Sequence, residues 1–411
     1  MPPEDPGLTT LKQTEYRCRV EVQRLRRLAF GMPDLAPADI LDQLAKAERD
    51  LRDAEQKRLD AEKTAAPGVI LDTTSKATRR GAATTGLEAK VVLSMPYIPT
   101  AIYHLFDAET RPLITCEVKA VKRRADDPLK RRVCVTSFIE GYSAQAVDTF
   151  EIPNNETYSF KQLPTLFPNS IRDLTELSRA TVNVLVKDLD GNVETHVTEP
   201  VWMLARTTLP FSMLNPQTNA WENFFEYFGV YVTPNAPSLM RFLREAAALH
   251  PQHTLMGYQG GLPDQSDEII TPQVKALYDA LKGAGITYVN SVLDVNPQQG
   301  VSGQRVRLPR ESLEDKEANC IDGTVLLASL LEGISLNPAI CVVPGHAFLA
   351  WETWDNYDEW RYLETTMIGT NFFEDALKEG KRKADYYGGA KQLQLLRLRD
   401  LRAKQGILPM E

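Results

Sequence analysis

The spacing of apolar positions changes along the chain, and each change predicts a different kind of element. Between Ala38 and Lys63 the sequence is dense in helix formers, with Leu44, Ala47, Leu51, Ala54 and Ala61 at heptad-like spacing interrupted at Arg58. An earlier helical stretch, roughly 11–30, ends at Gly31-Met32-Pro33. Together they predict a helical hairpin, or coiled-coil arm, over residues 1–64. Residues 65–87, rich in Thr, Ala and Gly, read as a linker. Residues 88–205 switch to short β-branched runs, among them AKVVLSM, ITCEVKAVK, RRVCVTSFI and ATVNVLVKD, and Asp190-Gly191 marks a hairpin. Such a series of short strands predicts a β-sandwich of immunoglobulin-like type. Residues 206–290 return to helical patterning. Their aromatic cluster of Trp221, Phe224, Phe225, Tyr227 and Phe228 reads as core, and Thr233-Pro234-Asn235 is placed to cap the next helix. The Gly-rich loop at 257–267 lacks the GK[ST] ending of a phosphate loop.

A further pattern occupies residues 309–367. The polar run EDKEAN gives way to IDGTVLLASLLEG, in which Ile321, Val325, Ala328 and Leu331 keep helical spacing and Gly333 offers a stop. PAICVV reads as a buried strand, broken at Pro344-Gly345. HAFLAWETW and EWRYLETT read as two more strands joined through DNYD. Next, FFEDALKEGKRKA reads as a helix with Phe373, Ala376 and Leu377 on one side, whereas LQLLRLRDLRAKQGI fits a strand or a helix equally. The fold class expected is α+β and multidomain.

With 411 residues and a net charge of −8, the chain has length for several domains and a charge that argues against wholesale nucleic-acid binding. Five cysteines lie far apart with no CxxC pair, and five histidines form no HExxH. Neither a disulfide framework nor a metal centre is expected, and no cofactor is called for. The start, MPPEDPGLTT, carries no basic-then-apolar leader, and no apolar run approaches membrane length. A reducing, cytoplasmic setting is the expectation, without a membrane partner. The charged outer face of the arm reads either as solvated or as a docking surface for a protein partner.

Three residues raise the prospect of chemistry. Cys320 falls at a predicted helix start, where unsatisfied N–H groups and the helix dipole favour a thiolate, the nucleophilic form. His346 opens the following strand pair. Counted from a turn centred on Asp355, Glu364 falls opposite His346, close enough for the side chains to meet. Glu364 can then hold one ring nitrogen and leave the other for Cys320, the arrangement of nucleophile, base and orienting acid. Gln304, ahead of Cys320, is a candidate oxyanion donor beside the Cys320 backbone N–H; a loop amide bonded to backbone is the alternative. Arg305 and Arg307 read as partners for carboxylates.

The order of a Cys at a helix start, a His-Ala pair and an acid on successive strands resembles the transglutaminase-like cysteine peptidase superfamily. The matching positions are Cys320, His346-Ala347 and Glu364, with Glu standing where the family more often has Asp. GQRVRLPRE, NCIDGTVLLASLLEGISLNP and PGHAFLAWE look like the transglutaminase-like module of large bacterial proteins that also carry helicase domains and are linked to defence. The likeness covers about half of the chain, from Trp202 onward. It implies a papain-like α+β domain over residues 206–411, a Cys320-His346-Glu364 triad, a thioester intermediate and a protein or peptide substrate.

Overall fold

The computed structural model describes residues 87–410, apart from 122–128, 189–192, 216–219, 260–261, 291–292 and 297–300, together with separate positions between 14 and 57. The chain divides into two compact units, Met1–Asp72 and Thr73–Glu411. In the first, the described positions between 14 and 25 and between 42 and 57 are helical. Val22 and Leu25 pack there with Ala47 and Leu51, two of the predicted seam positions. Of the expected linker only Leu87 lies among the described residues, and it opens a strand.

The second unit is mixed α+β with several sheets. Its first half holds β1 (Leu87–Leu93), β2 (Tyr97–Ile98), β3 (Ile114–Ala120), β4 (Lys130–Ile139), β5 (Ala146–Pro153), β6 (Thr157–Gln162), the short helix α1 (Pro168–Arg172), β7 (Ser178–Asp188) and β8 (Val193–Met203). They form two sheets, ordered β1-β3-β6 and β2-β8-β7-β4-β5. In β3, Ile114, Cys116, Val118 and Ala120 are buried while Glu117 and Lys119 are exposed, the period of two that a one-sided strand requires. β7 pairs antiparallel with β8 around 189–192, where Asp190-Gly191 lies outside the described residues. β5 and β6 escape a sequence reading because they are edge strands with mostly exposed polar residues.

Three short strands follow where helix was expected: β9 (Thr208–Pro210), β10 (Ser212–Asn215) and β11 (Ala220–Asn223). Phe224 and Phe228 are buried, as a core cluster should be. Helix α2 (Pro237–Ala247) buries Leu239, Phe242, Leu243 and Ala246 at helical spacing. Its N-cap is Ala236 with Pro237 in the first turn, so Thr233-Pro234-Asn235 does not cap it. Then come α3 (Ser266–Gly283), β12 (Thr287–Tyr288), β13 (Leu293–Asn296), β14 (Val301–Arg305), α4 (Pro309–Asp315) and β15 (Glu317–Ala318).

The chain ends with α5 (Cys320–Gly333), β16 (Pro338–Val343), β17 (His346–Glu352), β18 (Trp360–Leu363), α6 (Phe373–Gly389), β19 (Gln394–Arg397) and α7 (Leu398–Gln405). The ambiguous last segment is therefore a strand and then a helix. The antiparallel sheet β18-β17-β16-β19 lies between α5 and α6. Every residue of α5 from Ile321 to Leu331 is buried, because α2, α3 and α4 cover the side that the sheet does not. One contiguous buried cluster runs from Leu87 to Met410 and takes in both halves of this unit, so the expected boundary at 205/206 is no break in the core.

Candidate active site

Cys320 is the first residue of α5. The side chain of the preceding Asn319 accepts from the N–H of Asp322, and the Asp322 carboxylate accepts from the N–H of Asn319. This reciprocal cap fixes where the helix begins. Asp322 is fully buried and also accepts from the N–H and Nη1 of Arg307, at 2.8 and 2.9 Å. Burial still holds its carboxyl above the ordinary value, since it outweighs those bonds. Arg307 is thus spent within the fold, where it also pairs with Glu317.

Helix α5 runs alongside β17 in the same direction, which brings Cys320 to the start of that strand. Odd positions of β17 (Ala347, Leu349, Trp351) join the core on the α5 side; Phe348 and Ala350 face α6. His346 shares the parity of Phe348 but sits at the strand's open end, so its ring can meet residues from both layers. His346 Nε2 lies 2.8 Å from Glu364 Oε2, which leaves Nδ1 for the hydrogen bond that joins the imidazole to Cys320. The Ala347 N–H also donates to the Cys320 sulfur. Cys320 as a residue is half-buried.

The hairpin register differs from the expected one. β17 pairs with β18 as Leu349↔Leu363 through Glu352↔Trp360, which centres the turn on Asn356 rather than Asp355. Extended on that register, Glu364 would not face His346. β18 stops at Leu363, however, and Glu364 turns away to cap the 3-10 helix Thr365–Met367. That turn swings the carboxylate under the imidazole. Glu364 Oε1 accepts from the N–H and Oγ1 of Thr366, at 3.0 and 2.6 Å. Thr365 Oγ1 donates to the Cys320 carbonyl at 3.1 Å, tying the acid's turn to the nucleophile's helix. Neither Asp355 nor Asp358 can substitute. Asp355 is held by Asn337 and Arg399, and Asp358 by Trp360 and Arg397.

The electrostatics follow from this geometry. Burial pushes the Cys320 thiol up, but the His346 bond and charge and the Ala347 N–H outweigh it, and the thiol ends below its ordinary value. Burial pushes His346 down, and the Glu364 carboxylate overrides it, leaving the imidazole raised. Glu364 is 1% exposed, yet His346 and Lys383 hold it well below the usual carboxylate range. All three shifts therefore run toward the charged forms. The contrast is Cys341 on β16, whose thiol burial alone pushes well up.

Gln304 lies on β14, and its Nε2 donates to the carbonyl oxygen of Arg305 at 2.9 Å, the local backbone bond of the alternative reading. The start of the 257–267 loop is pinned elsewhere. A Cβ on Gly257 would lie 2.2 Å from the Ile334 carbonyl oxygen, at the far end of α5 from Cys320. The sequence reading missed Lys383, Thr365, Thr366 and the Asn319–Asp322 cap. Lys383 had a visible signal: in α6 it falls on the same face as buried Phe373, Ala376, Gly380 and Ala384. Among the described residues no group of three or more His, Cys, Asp or Glu is arranged to hold a metal ion, and no helix is long and apolar enough to cross a membrane. Comparisons with protein-family models, with curated proteins and with solved structures returned no match.

Proposed function

We propose that the C-terminal half of the chain is a thiol acyl-transfer enzyme of transglutaminase-like, papain-like type, carried on an immunoglobulin-like sandwich and a helical arm. One observation carries the reading: the half-buried Cys320 at a helix start is bonded to His346, which is itself held by the buried Glu364 at 2.8 Å. The Cys320 thiolate attacks the carbonyl carbon of an amide, forming a carbon–sulfur bond and a tetrahedral oxyanion. The Cys320 backbone N–H, and Gln304 if its amide turns outward, are the donors available to that oxygen. The His346 imidazolium gives its proton to the leaving nitrogen, the carbon–nitrogen bond breaks, and a thioester remains on Cys320. His346, now neutral, takes a proton from water as the water oxygen attacks the thioester; the carbon–sulfur bond breaks, the carboxyl product leaves and Cys320 returns to a thiolate beside the imidazolium. Glu364 keeps the ring's tautomer and orientation throughout.

With water as acceptor the enzyme is a cysteine peptidase or amidase on a protein or peptide substrate; with an amine it is a transglutaminase. Hydrolysis is the reading adopted, on the resemblance of residues 303–352 to peptidases of this superfamily, and the same resemblance suggests a role in bacterial defence. The arm then serves to recruit a protein partner. The test is to incubate the purified protein with a denatured proteome and a fluorescent primary amine. New N-termini, absent with Cys320→Ala, support hydrolysis; Cys320-dependent amine incorporation supports transamidation. Neither product from a protein whose Cys320 is reactive would leave a binding module instead.

A further inference from the structure

The mechanism above leaves a buried cation unused. Lys383 is 5% exposed. Its ammonium lies 2.6 Å from Glu364 Oε2 and 3.1 Å from His346 Nε2. The placement comes from the fold. At Gly380, one turn earlier in α6, a Cβ would sit 2.5 Å from the Leu363 backbone nitrogen, so only glycine lets the helix approach β18 this closely. The Glu364 N–H donates to the Ala376 carbonyl at 3.0 Å across the same contact. Helix and strand are stitched together beside the acid, and Lys383 is delivered onto it.

We propose that Lys383 is a positioning residue of the Cys320 centre: its charge keeps the buried cluster neutral in each of its working states and limits how strongly His346 retains its proton. This rests on the acyl-transfer reading. With a thiolate and an imidazolium, Cys320, His346, Glu364 and Lys383 carry −1, +1, −1 and +1. With a thiol and a neutral ring, Glu364 and Lys383 still cancel, and the same holds for a thioester. Without Lys383 each of these states leaves one uncompensated negative charge in a desolvated place, which is costly. An ammonium has protons to donate and no lone pair, so Lys383 and the ring N–H compete for the same Glu364 oxygen. Its charge therefore opposes that of the imidazolium and eases proton release to a leaving group. Burial and this charge both push the imidazole down, and Glu364 pushes it up. The other charged or titratable neighbours are Glu379, 3.9 Å from the ammonium, and Arg382 on α6, Tyr278 on α3, and Tyr288 on β12. All stay in place in the variants below.

The experiment is alkylation of Cys320 by iodoacetate across pH, read by mass spectrometry, in the full chain. An anionic reagent is drawn by the imidazolium, so its rate falls on the alkaline side as His346 loses its proton. Lys383→Met removes donor and charge; Lys383→Gln keeps a donor to Glu364 without the charge. Both are expected to move the alkaline limb up by about one pH unit, and Lys383→Arg to return it toward wild type. In the wild-type protein, which needs no neutral variant to fold, the Lys383 resonance of 13C-lysine-labelled material, assigned with Lys383→Arg, should shift at the pH of that limb. A limb in the two neutral variants that coincides with wild type, or a Lys383 resonance indifferent to it, overturns the proposal while the triad stands. A wild-type profile that His346→Ala leaves unchanged overturns the triad, and this proposal with it.

Discussion

At the end of β17 the carboxylate of Glu352 is 2% exposed; beyond the hairpin, Glu364 near the strand's start is 1% exposed. Both are buried acids at the same sheet, one closing a strand and one just past a strand's end, and both carboxylates are hydrogen-bonded, as burial requires. Glu352 accepts from Asn337 Nδ2 at 2.7 Å and from the Asp358 N–H at 2.9 Å, with Arg399 3.9 Å away. Its carbonyl takes the hydroxyl of Tyr258, which in turn accepts the Asn337 N–H. Those partners are backbone, amide and phenol, and their task is to pin the turn after β17 and the loop at Gly257. Glu364 instead faces an imidazole, which faces a thiol. A buried acid marks a site for chemistry only where its partner can gain or lose a proton near neutral pH.

The comparison breaks most severely at the Cys320 end. His346→Ala should lower any Cys320-dependent hydrolysis about 10²–10⁴-fold while the chain still unfolds cooperatively, measured by turnover beside a melting curve. Next comes Glu364→Ala, which strips His346 and Lys383 of their shared counter-charge. It should cost about 3–5 kcal/mol in denaturant unfolding and also slow Cys320 alkylation. Glu352→Ala should cost about 1–3 kcal/mol by leaving the Asp358 N–H unsatisfied and removing one of the two acceptors of the Asn337 amide, while the alkylation profile of Cys320 stays where it was. A profile that moves with Glu352 would erase the distinction between the two ends. The smallest effect belongs to Cys341→Ala, a small core deletion of about 1 kcal/mol, without effect on turnover.

The pH response sharpens the same contrast. Glu364 folds with its carboxyl well below the ordinary 4.5. Its contribution to stability is complete above that ordinary value and is lost as pH falls through the folded one. His346 is raised from the ordinary 6.5, so its contribution is complete below 6.5 and is lost as pH rises through its folded value. The lowered thiol and the raised imidazole both shift toward the reactive ion pair. Unfolding by urea across pH should show both losses in wild type; in His346→Ala the loss on the alkaline side should disappear and the acid-side loss should shrink with the missing partner.

Much of this site was legible in the sequence because its parts obey local rules. The change from EDKEAN to an apolar run placed Cys320 at a helix start, and Pro344-Gly345 separated two buried strands at His346. Hairpin counting brought Glu364 to the correct partner although the turn is centred one residue later, since a short 3-10 turn supplied the remaining reach. The remainder was set by tertiary packing. Helical spacing puts Lys383 on the apolar face of KEGKRKA, but what holds a cation there is visible only in the close contact at Gly380. β5 and β6 are polar edges: β5 folds back on the preceding β4 without an apolar alternation to mark it, and β6 reaches past both to pair with β3. The short strands β9 to β11 interrupt a stretch whose composition favours helix, because β9 completes a sheet with β13 and β14.

The measurement that bears most directly on the central claim is alkylation of each cysteine by iodoacetamide from acid to neutral pH, compared between wild type and His346→Ala. The account predicts that Cys320 reacts fastest, that it still reacts below pH 7, and that His346→Ala removes this reaction while Cys341 stays inert in both proteins. Labelling of Cys320 no faster than that of Cys18, and unchanged by His346→Ala, would contradict it.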